Sequence, residues 1–363
     1  MDNNSFMEVP PEDEKTKYME VLPETPKKPD DYSEVSDKDL VPSGTGVTVT
    51  LENQSPAKQF GPGDLGLVLA GGGGKGAYQI GVLKVLSDHG ILKDVKAVAG
   101  TSIGAINAVL YAEGDFAKAY KAWDEIDMGV LFDIDLSMVA SGKLYFSRDE
   151  MNRLMNNFVN YDMLSKSELE IYCGVAEELP DGKYRPEYMR LNGASQVDIM
   201  KILMASTAMP IVYDTVTING KKYRDGGVSD NEPVKPLYDA GIRKFIVVCL
   251  DYSKNFTFSQ YSDAEFLIIK PSHDLGDVFS GTLNFHEQDK AIKRMLGERD
   301  AFRTIKTKIE KDENYIALES EFAVKDYEEC VRQVQHEKKK ADLEKSISSS
   351  FDYISEIEKK WGV

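Results

Sequence analysis

Two glycine-rich corners, about one helix apart, constrain this chain more than anything else in it. Gly71-Gly72-Gly73-Gly74-Lys75-Gly76 follows the apolar run Leu65-Gly66-Leu67-Val68-Leu69-Ala70. Gly100-Thr101-Ser102-Ile103-Gly104 follows a second run, Val95-Lys96-Ala97-Val98-Ala99. Short apolar runs of this kind read as buried strands. After the first corner Ala77, Ile80, Leu83 and Leu86 recur at helical spacing, and residues 103–111 read as a second helix. Each corner is therefore a strand-to-helix turn. A helix N-terminus leaves its first N–H groups unpaired at the positive end of the dipole, which favours an anion. Glycines let the backbone approach that anion without a Cβ in the way. The second corner has the form G-x-S-x-G, in which a serine at a tight bend presents its hydroxyl.

Three readings compete for the first corner. A phosphate-binding P-loop needs glycine where Leu69 stands and a hydroxyl where Gly76 stands, so it fails. A dinucleotide fingerprint matches Gly71, Gly73 and Gly76 but wants an acid at the end of the second strand, which here ends in Gly100-Thr101-Ser102. The third reading is an oxyanion hole serving Ser102, and it accounts for both corners together. Glycines used for tight packing alone would leave the serine corner unexplained.

A serine nucleophile needs a base. Residues 212–218 alternate like a strand and meet Asn219-Gly220, a strong hairpin signal. Lys221-Lys222-Tyr223-Arg224 then runs into Asp225-Gly226-Gly227. An acid followed by two glycines has little steric cover, which suits a carboxylate facing a site. Taken alone, an Asx-turn closing a loop is the simpler explanation of the same residues.

At this point the residues resemble a known family. The glycine corner, the G-x-S-x-G corner and Asp225-Gly226-Gly227 are similar to the G-G-G-x-K/R-G, G-x-S-x-G and D-G-G/A motifs of patatin-like phospholipases of the bacterial type. Ala205-Ser206-Thr207-Ala208-Met209-Pro210 looks like that family's A-S-x-A-x-P segment, and Asn231-Glu232-Pro233 sits where it often carries N-x-P. The likeness runs over about residues 64–302. Ala70 stands where a polar residue is common, and Gly74 fills the free position of the first motif.

The resemblance implies a three-layer α/β/α fold with a mostly parallel central sheet. It implies a Ser–Asp dyad, with Ser102 as nucleophile and Asp225 as general base. The N–H groups of Gly72, Gly73 and Gly74 would hold the oxyanion, with Gly71, Lys75, Gly76, Gly100, Gly104, Gly226 and Gly227 supporting the motifs. The activity implied is a serine lipid acyl hydrolase of the phospholipase A type, acting on phospholipid or related lipid esters without metal or cofactor. An acyltransferase on the same dyad and an inactive lipid-binding scaffold are the alternatives. A Ser–His–Asp triad through His273 or His286, both downstream of Asp225, also stays open.

Charge bounds the partners. The net charge is −17, and no run of basic residues suggests nucleic acid; Lys338-Lys339-Lys340, beside many acids, reads as a solvated face. Anionic membranes would repel the chain as a whole, so lipid contact should be local, apolar and peripheral. Cys173, Cys249 and Cys330 lack disulfide or metal spacing, and Cys249 in a strand-like run reads as core. That usage, with no signal peptide or bilayer-length apolar run, leads us to expect a cytoplasmic protein, with export by a signal-independent route left open.

The chain divides into three parts on this reading. Residues 1–63 carry 8 of the 14 prolines and 13 acids against 6 bases, so they should be mostly disordered. Within them Phe6-Met7-Glu8-Val9, Tyr18-Met19-Glu20-Val21 and Tyr32-Ser33-Glu34-Val35 form a loose repeat, either accident or docking motif, and residues 47–51 read as one short strand. Residues 64–302 form the catalytic domain. Inside it, Ser147-Arg148-Asp149-Glu150 is a capping box with Phe146 stapled on Met151. The helix it starts puts Met151, Leu154, Met155 and Phe158 on one face, as core or as an acyl-chain cleft. Residues 303–363 read as two or three amphipathic helices that pack on the domain or on a protein partner.

Overall fold

The structure, a computed structural model, describes residues 46–52, 54–126, 149–210 and 213–361. The Glu-Val repeats, the methionine-rich stretch up to residue 148 with its staple and cap, and the side chains of Met151 and Leu154 lie outside the described residues.

Among the described residues nine strands form one sheet: β1 (Val47–Val49), β2 (Leu65–Leu69), β3 (Val95–Thr101), β4 (Glu170–Glu178), β5 (Tyr184–Arg190), β6 (Val216–Ile218), β7 (Lys221–Asp225), β8 (Lys244–Val248) and β9 (Glu265–Ile269). Their order is β1-β5-β4-β3-β2-β8-β9, with β7 also paired to β4 and β6 to β7. Pairing is parallel from β4 through β3, β2 and β8 to β9, and antiparallel for β4 with β5 and with β7. The helices are α1 (Ala77–Asp88), α2 (Ile103–Ala112), α3 (Phe116–Glu125), α4 (Asp149–Phe158), α5 (Tyr161–Ser165), α6 (Gln196–Ser206), α7 (Lys235–Asp239), α8 (Glu287–Thr304), α9 (Glu313–Ala317) and α10 (Glu319–Trp361).

Alternation along the strands divides the core in two. Leu67, Leu69, Val98, Ile171, Cys173, Val175, Ile246 and Val248 face one side, where α1, α2, α3, α6 and α8 cover them. Val68, Ala97, Ala99, Tyr172, Phe245 and Val247 face the other. That second face is closed by Val234 and Leu237 beside the short α7, and by Phe256, Phe258, Tyr261 and Phe266. Both faces are thus buried, which is why the central strands read as continuous apolar runs. Among the described residues the expected helical layers are unequal, since α4 and α5 also pack on the first face, while the second is closed by one short helix and a cluster of aromatic rings.

The expected strand at 47–51 is present as β1, and it does not stand apart from the domain. It pairs in parallel with β5, Leu51 is buried, and Gln54 Nε2 donates to the carbonyls of Arg190 and Asn192, each at 2.9 Å. The expected strand at 212–218 is shorter, beginning at Val216, and its Asn219-Gly220 hairpin has positive φ at both residues as a type I′ turn requires. Beyond residue 302 the chain continues α8 to Thr304, turns through a π-helical stretch, and forms α9 and the 43-residue α10. α10 is anchored on α8 by buried Cys330 and Val334 and by Asp326, which accepts from Arg299 and Arg303, each at 2.9 Å. Among the described residues no helix is long and apolar enough to cross a membrane.

Candidate active site

Strand register brings the two glycine corners together. β2 and β3 are parallel neighbours, with Leu69 beside Gly100, so the chain leaves both strands at the same end. Such strand ends are where open α/β sheets place their sites. β7 arrives from the opposite direction. Thr101 pairs with Gly174 of β4, and Asp225 pairs with the next residue, Val175. β3 and β7 therefore meet end to end along one edge of β4.

Ser102 follows Thr101 with φ 55° and ψ −124°, a conformation that costs a residue with a Cβ about 1–3 kcal/mol. The bend holds because α2 crosses very close to β2. A Cβ on Gly104 would lie 2.2 Å from the Leu69 carbonyl oxygen. At the same crossing Gly100 packs against the carbonyl of Gly104. Ser102 donates its backbone N–H to Ser206 Oγ at 2.9 Å, and its carbonyl accepts from the N–H of Ala105 at 2.9 Å to open α2.

The Ser102 hydroxyl donates to Asp225 Oδ2 at 2.6 Å. The other carboxylate oxygen accepts the N–H of Gly227 at 2.8 Å, which is the Asx-turn anticipated as the simpler reading. One side chain thus closes the turn with one oxygen and faces the serine with the other. Asp225 is 6% exposed. Burial pushes its pKa up to about 6, against the opposing pull of the Ser102 and Gly227 hydrogen bonds.

The glycine loop forms a 3₁₀ turn, Gly73–Gly76, that runs directly into α1. Lys75 N–H bonds back to the Gly72 carbonyl at 3.2 Å; the N–H groups ahead of it stand at the start of the turn, where no preceding turn supplies an acceptor. Gly73 has φ +54°, and a Cβ there would lie 2.1 Å from the Thr282 carbonyl oxygen. Gly74 is backed in the same way by Asn284. The loop is therefore pressed from behind by the segment before α8. Lys75 lies near Lys293, whose pKa is pushed down to about 8 by burial first and by the Lys75 charge as well, against Asp289.

Four side chains that sequence reasoning did not assign hold these parts in register. Ser206 links Ser102 to β4 by donating to the Gly174 carbonyl at 2.7 Å. Asn231 Nδ2 donates to the Gly71 carbonyl at 3.3 Å, joining the glycine loop to the segment after Gly226 and Gly227. Gln79 Nε2 donates to the Ala70 carbonyl at 2.8 Å. Asn107 Nδ2 donates to the Gly76 carbonyl at 3.0 Å and to Gln79 Oε1 at 2.8 Å, and its Oδ1 accepts from Trp123 Nε1 at 2.9 Å. Gln79 and Asn107 are visible in the sequence as amides on otherwise apolar helices; their partners, distant in sequence, are not.

His273 and His89 take other partners. His273 stacks on Tyr327 with ring centroids 4.3 Å apart, and His286 is the N-cap residue of α8. His89 Nδ1 lies 2.8 Å from the Val85 carbonyl at the end of α1. Cys173, Cys249 and Cys330 are buried and unpaired.

Residues 67–238 match the family model described as Patatin-like phospholipase. Lysophospholipase nte1 of Aspergillus terreus is 29% identical over 203 residues, 55% of this chain and 13% of that protein. Lysophospholipase NTE1 of Candida albicans is 26% identical over 212 residues, 55% of this chain and 14% of that protein. The chain thus spans about an eighth of the length of these curated relatives. Among solved structures, VipD from Legionella pneumophila aligns with TM-score 0.46 and 14% identity, covering 68% of this chain and 67% of that one. Human GIVD cytosolic phospholipase A2 aligns with TM-score 0.35 and 12% identity, over 73% and 60% of the respective chains.

Proposed function

From the match of residues 67–238 to the patatin-like phospholipase family model, we propose that the chain is a serine lipid acyl hydrolase working through Ser102 and Asp225. The observation that carries this reading is the 2.6 Å hydrogen bond from Ser102 Oγ to a buried carboxylate, at a bend beside a glycine loop. A nucleophile within reach of its base, next to backbone donors, is what acyl transfer needs.

In this mechanism Asp225 takes the Ser102 hydroxyl proton as Oγ attacks the ester carbonyl carbon. The carbonyl π electrons move to oxygen, and the N–H groups of Gly72, Gly73 and Gly74 receive that negative charge. Collapse expels the alcohol, which takes the proton from Asp225 and leaves the acyl group on Ser102. Water, deprotonated by Asp225, attacks the acyl-enzyme; collapse returns the proton to Ser102 and releases the fatty acid. Burial helps the base. A carboxylate with a pKa near 6 is still ionised at neutral pH and is a stronger proton acceptor than an ordinary one.

The substrate class we propose is a carboxylic ester of a phospholipid or lysophospholipid. The lysophospholipase names of the curated relatives support it. With a net charge of −17, the chain meets such lipids locally at a bilayer surface rather than by general attraction. The test is Ser102→Ala on a mixed lipid extract, with products followed by mass spectrometry. Free fatty acid and the deacylated lipid should appear with the wild-type chain and not with the variant. Turnover surviving in clean Ser102→Ala rejects the assignment, and acyl groups appearing on an alcohol instead of water convert it to an acyltransferase.

A further inference from the structure

The turn that ends α6 touches both members of the Ser102–Asp225 pair through their backbones. Ser206 is fully buried. Its hydroxyl accepts the Ser102 N–H at 2.9 Å and donates to the Gly174 carbonyl at 2.7 Å. Two residues later the Ala208 carbonyl accepts the Asp225 N–H at 3.0 Å.

From this arrangement, and resting on the dyad reading above, we infer that the Ser206–Ala208 turn is the device that sets the separation of nucleophile and base, with Ser206 as its positioning residue. A hydroxyl has one proton and two lone pairs. Donating the proton to Gly174 fixes where the lone pairs point, and one of them meets the Ser102 N–H. Ser206 thereby ties the strained bend to the strand that also pairs with Asp225. Ser102 needs such a tether, because φ 55° is a conformation it leaves when nothing holds it. The bond has a second effect. It occupies the Ser102 N–H, so stabilisation of the oxyanion falls to the glycine loop. Ser206 does not touch the reacting atoms and takes no part in proton transfer.

The experiment compares wild type, Ser206→Ala, Ser206→Cys and Ser102→Ala as full chains on a soluble p-nitrophenyl ester, with active sites counted by a fluorophosphonate. Alanine removes the acceptor. Cysteine keeps the shape but accepts hydrogen bonds weakly, so it serves where alanine prevents folding. Per titrated site, kcat should fall about 10- to 100-fold in both Ser206 variants, the scale set by a displacement of about 1 Å, while KM changes little. The acidic limb of the kcat profile should move to higher pH, because the Ser102 hydrogen bond that holds the Asp225 pKa down is weakened. Titrated sites with wild-type kcat and an unmoved limb overturn the inference. If Ser102→Ala is itself active, the dyad reading falls first, and the two failures are separable.

Discussion

Replacing Asp225 with asparagine should destroy activity and make the fold progressively more stable relative to wild type as pH rises. Burial pushes this carboxyl up to about 6 from an ordinary value of 3.8. An acid whose pKa is higher folded than unfolded binds its proton more tightly in the fold. Its contribution to stability is complete below the unfolded pKa and is lost as pH rises through the folded pKa. A gap of about two pH units corresponds to about 3 kcal/mol. At 6% exposure, solvent screening takes little from that figure. Asparagine does not titrate. The unfolding free energy of Asp225→Asn minus that of wild type should therefore climb by about 3 kcal/mol between about pH 4 and pH 7, then level off. For a chain of this size that is a relative gain in Tm of roughly 4 °C across the same window. The amide must also meet both the Gly227 N–H and the Ser102 hydroxyl; that mismatch adds a constant offset and leaves the pH dependence alone. Calorimetry or urea titration of both proteins across this range reads it directly. A difference that stays flat, or that falls as pH rises, means Asp225 is not held in a costly charged state, and the argument from burial is wrong.

Three other outcomes are expected. Ser102→Gly and Ser102→Ala should both be inactive, and the glycine variant should be more stable than the alanine variant by about 1 kcal/mol, since both lose the hydrogen bond to Asp225 and only glycine tolerates φ 55° freely; equal stability by denaturant titration would contradict a strained bend. Gly73→Ala should lower kcat on the order of 10²-fold or more with little change in KM, because its Cβ meets the Thr282 carbonyl and turns donors away from charge that exists only in the transition state; a pure KM effect would make the loop a substrate-binding element. Asn107→Leu should cost about 3 kcal/mol or more, by leaving the Gly76 carbonyl, the Gln79 amide and the Trp123 N–H buried without their partner; a loss below about 1 kcal/mol by denaturant titration would show that these groups find others.

Legibility in the sequence followed the range of the interactions. β2, β3, α1 and α2 could be read because strand and helix periodicity are local, and the β6–β7 hairpin because Asn219-Gly220 has a specific turn preference. The candidate pair was readable as two motifs, but not the end-to-end meeting of β3 and β7 on β4. Register between strands so far apart leaves no mark in either one. The place of β1 in the sheet is hidden for the same reason. Its partner β5 lies far along the chain, and its flank is proline-rich and acidic. Ser206 was seen within a motif without a role, because its work is done by hydrogen bonds to residues 32 and 104 positions away.

The end-to-end meeting of β3 and β7 decides where this chain can accept extra sequence. Two bends lie away from the junction: residues 179–183, between β4 and β5, and Asn219-Gly220, at the other end of β7 from Asp225. An epitope or a whole domain could be grafted at either place while the strand ends that carry Ser102 and Asp225 keep their partners. β4 allows no such freedom. One residue added between Gly174 and Val175 would slide Asp225 away from Ser102 by about 3.3 Å, the rise of a strand, and would break their hydrogen bond outright.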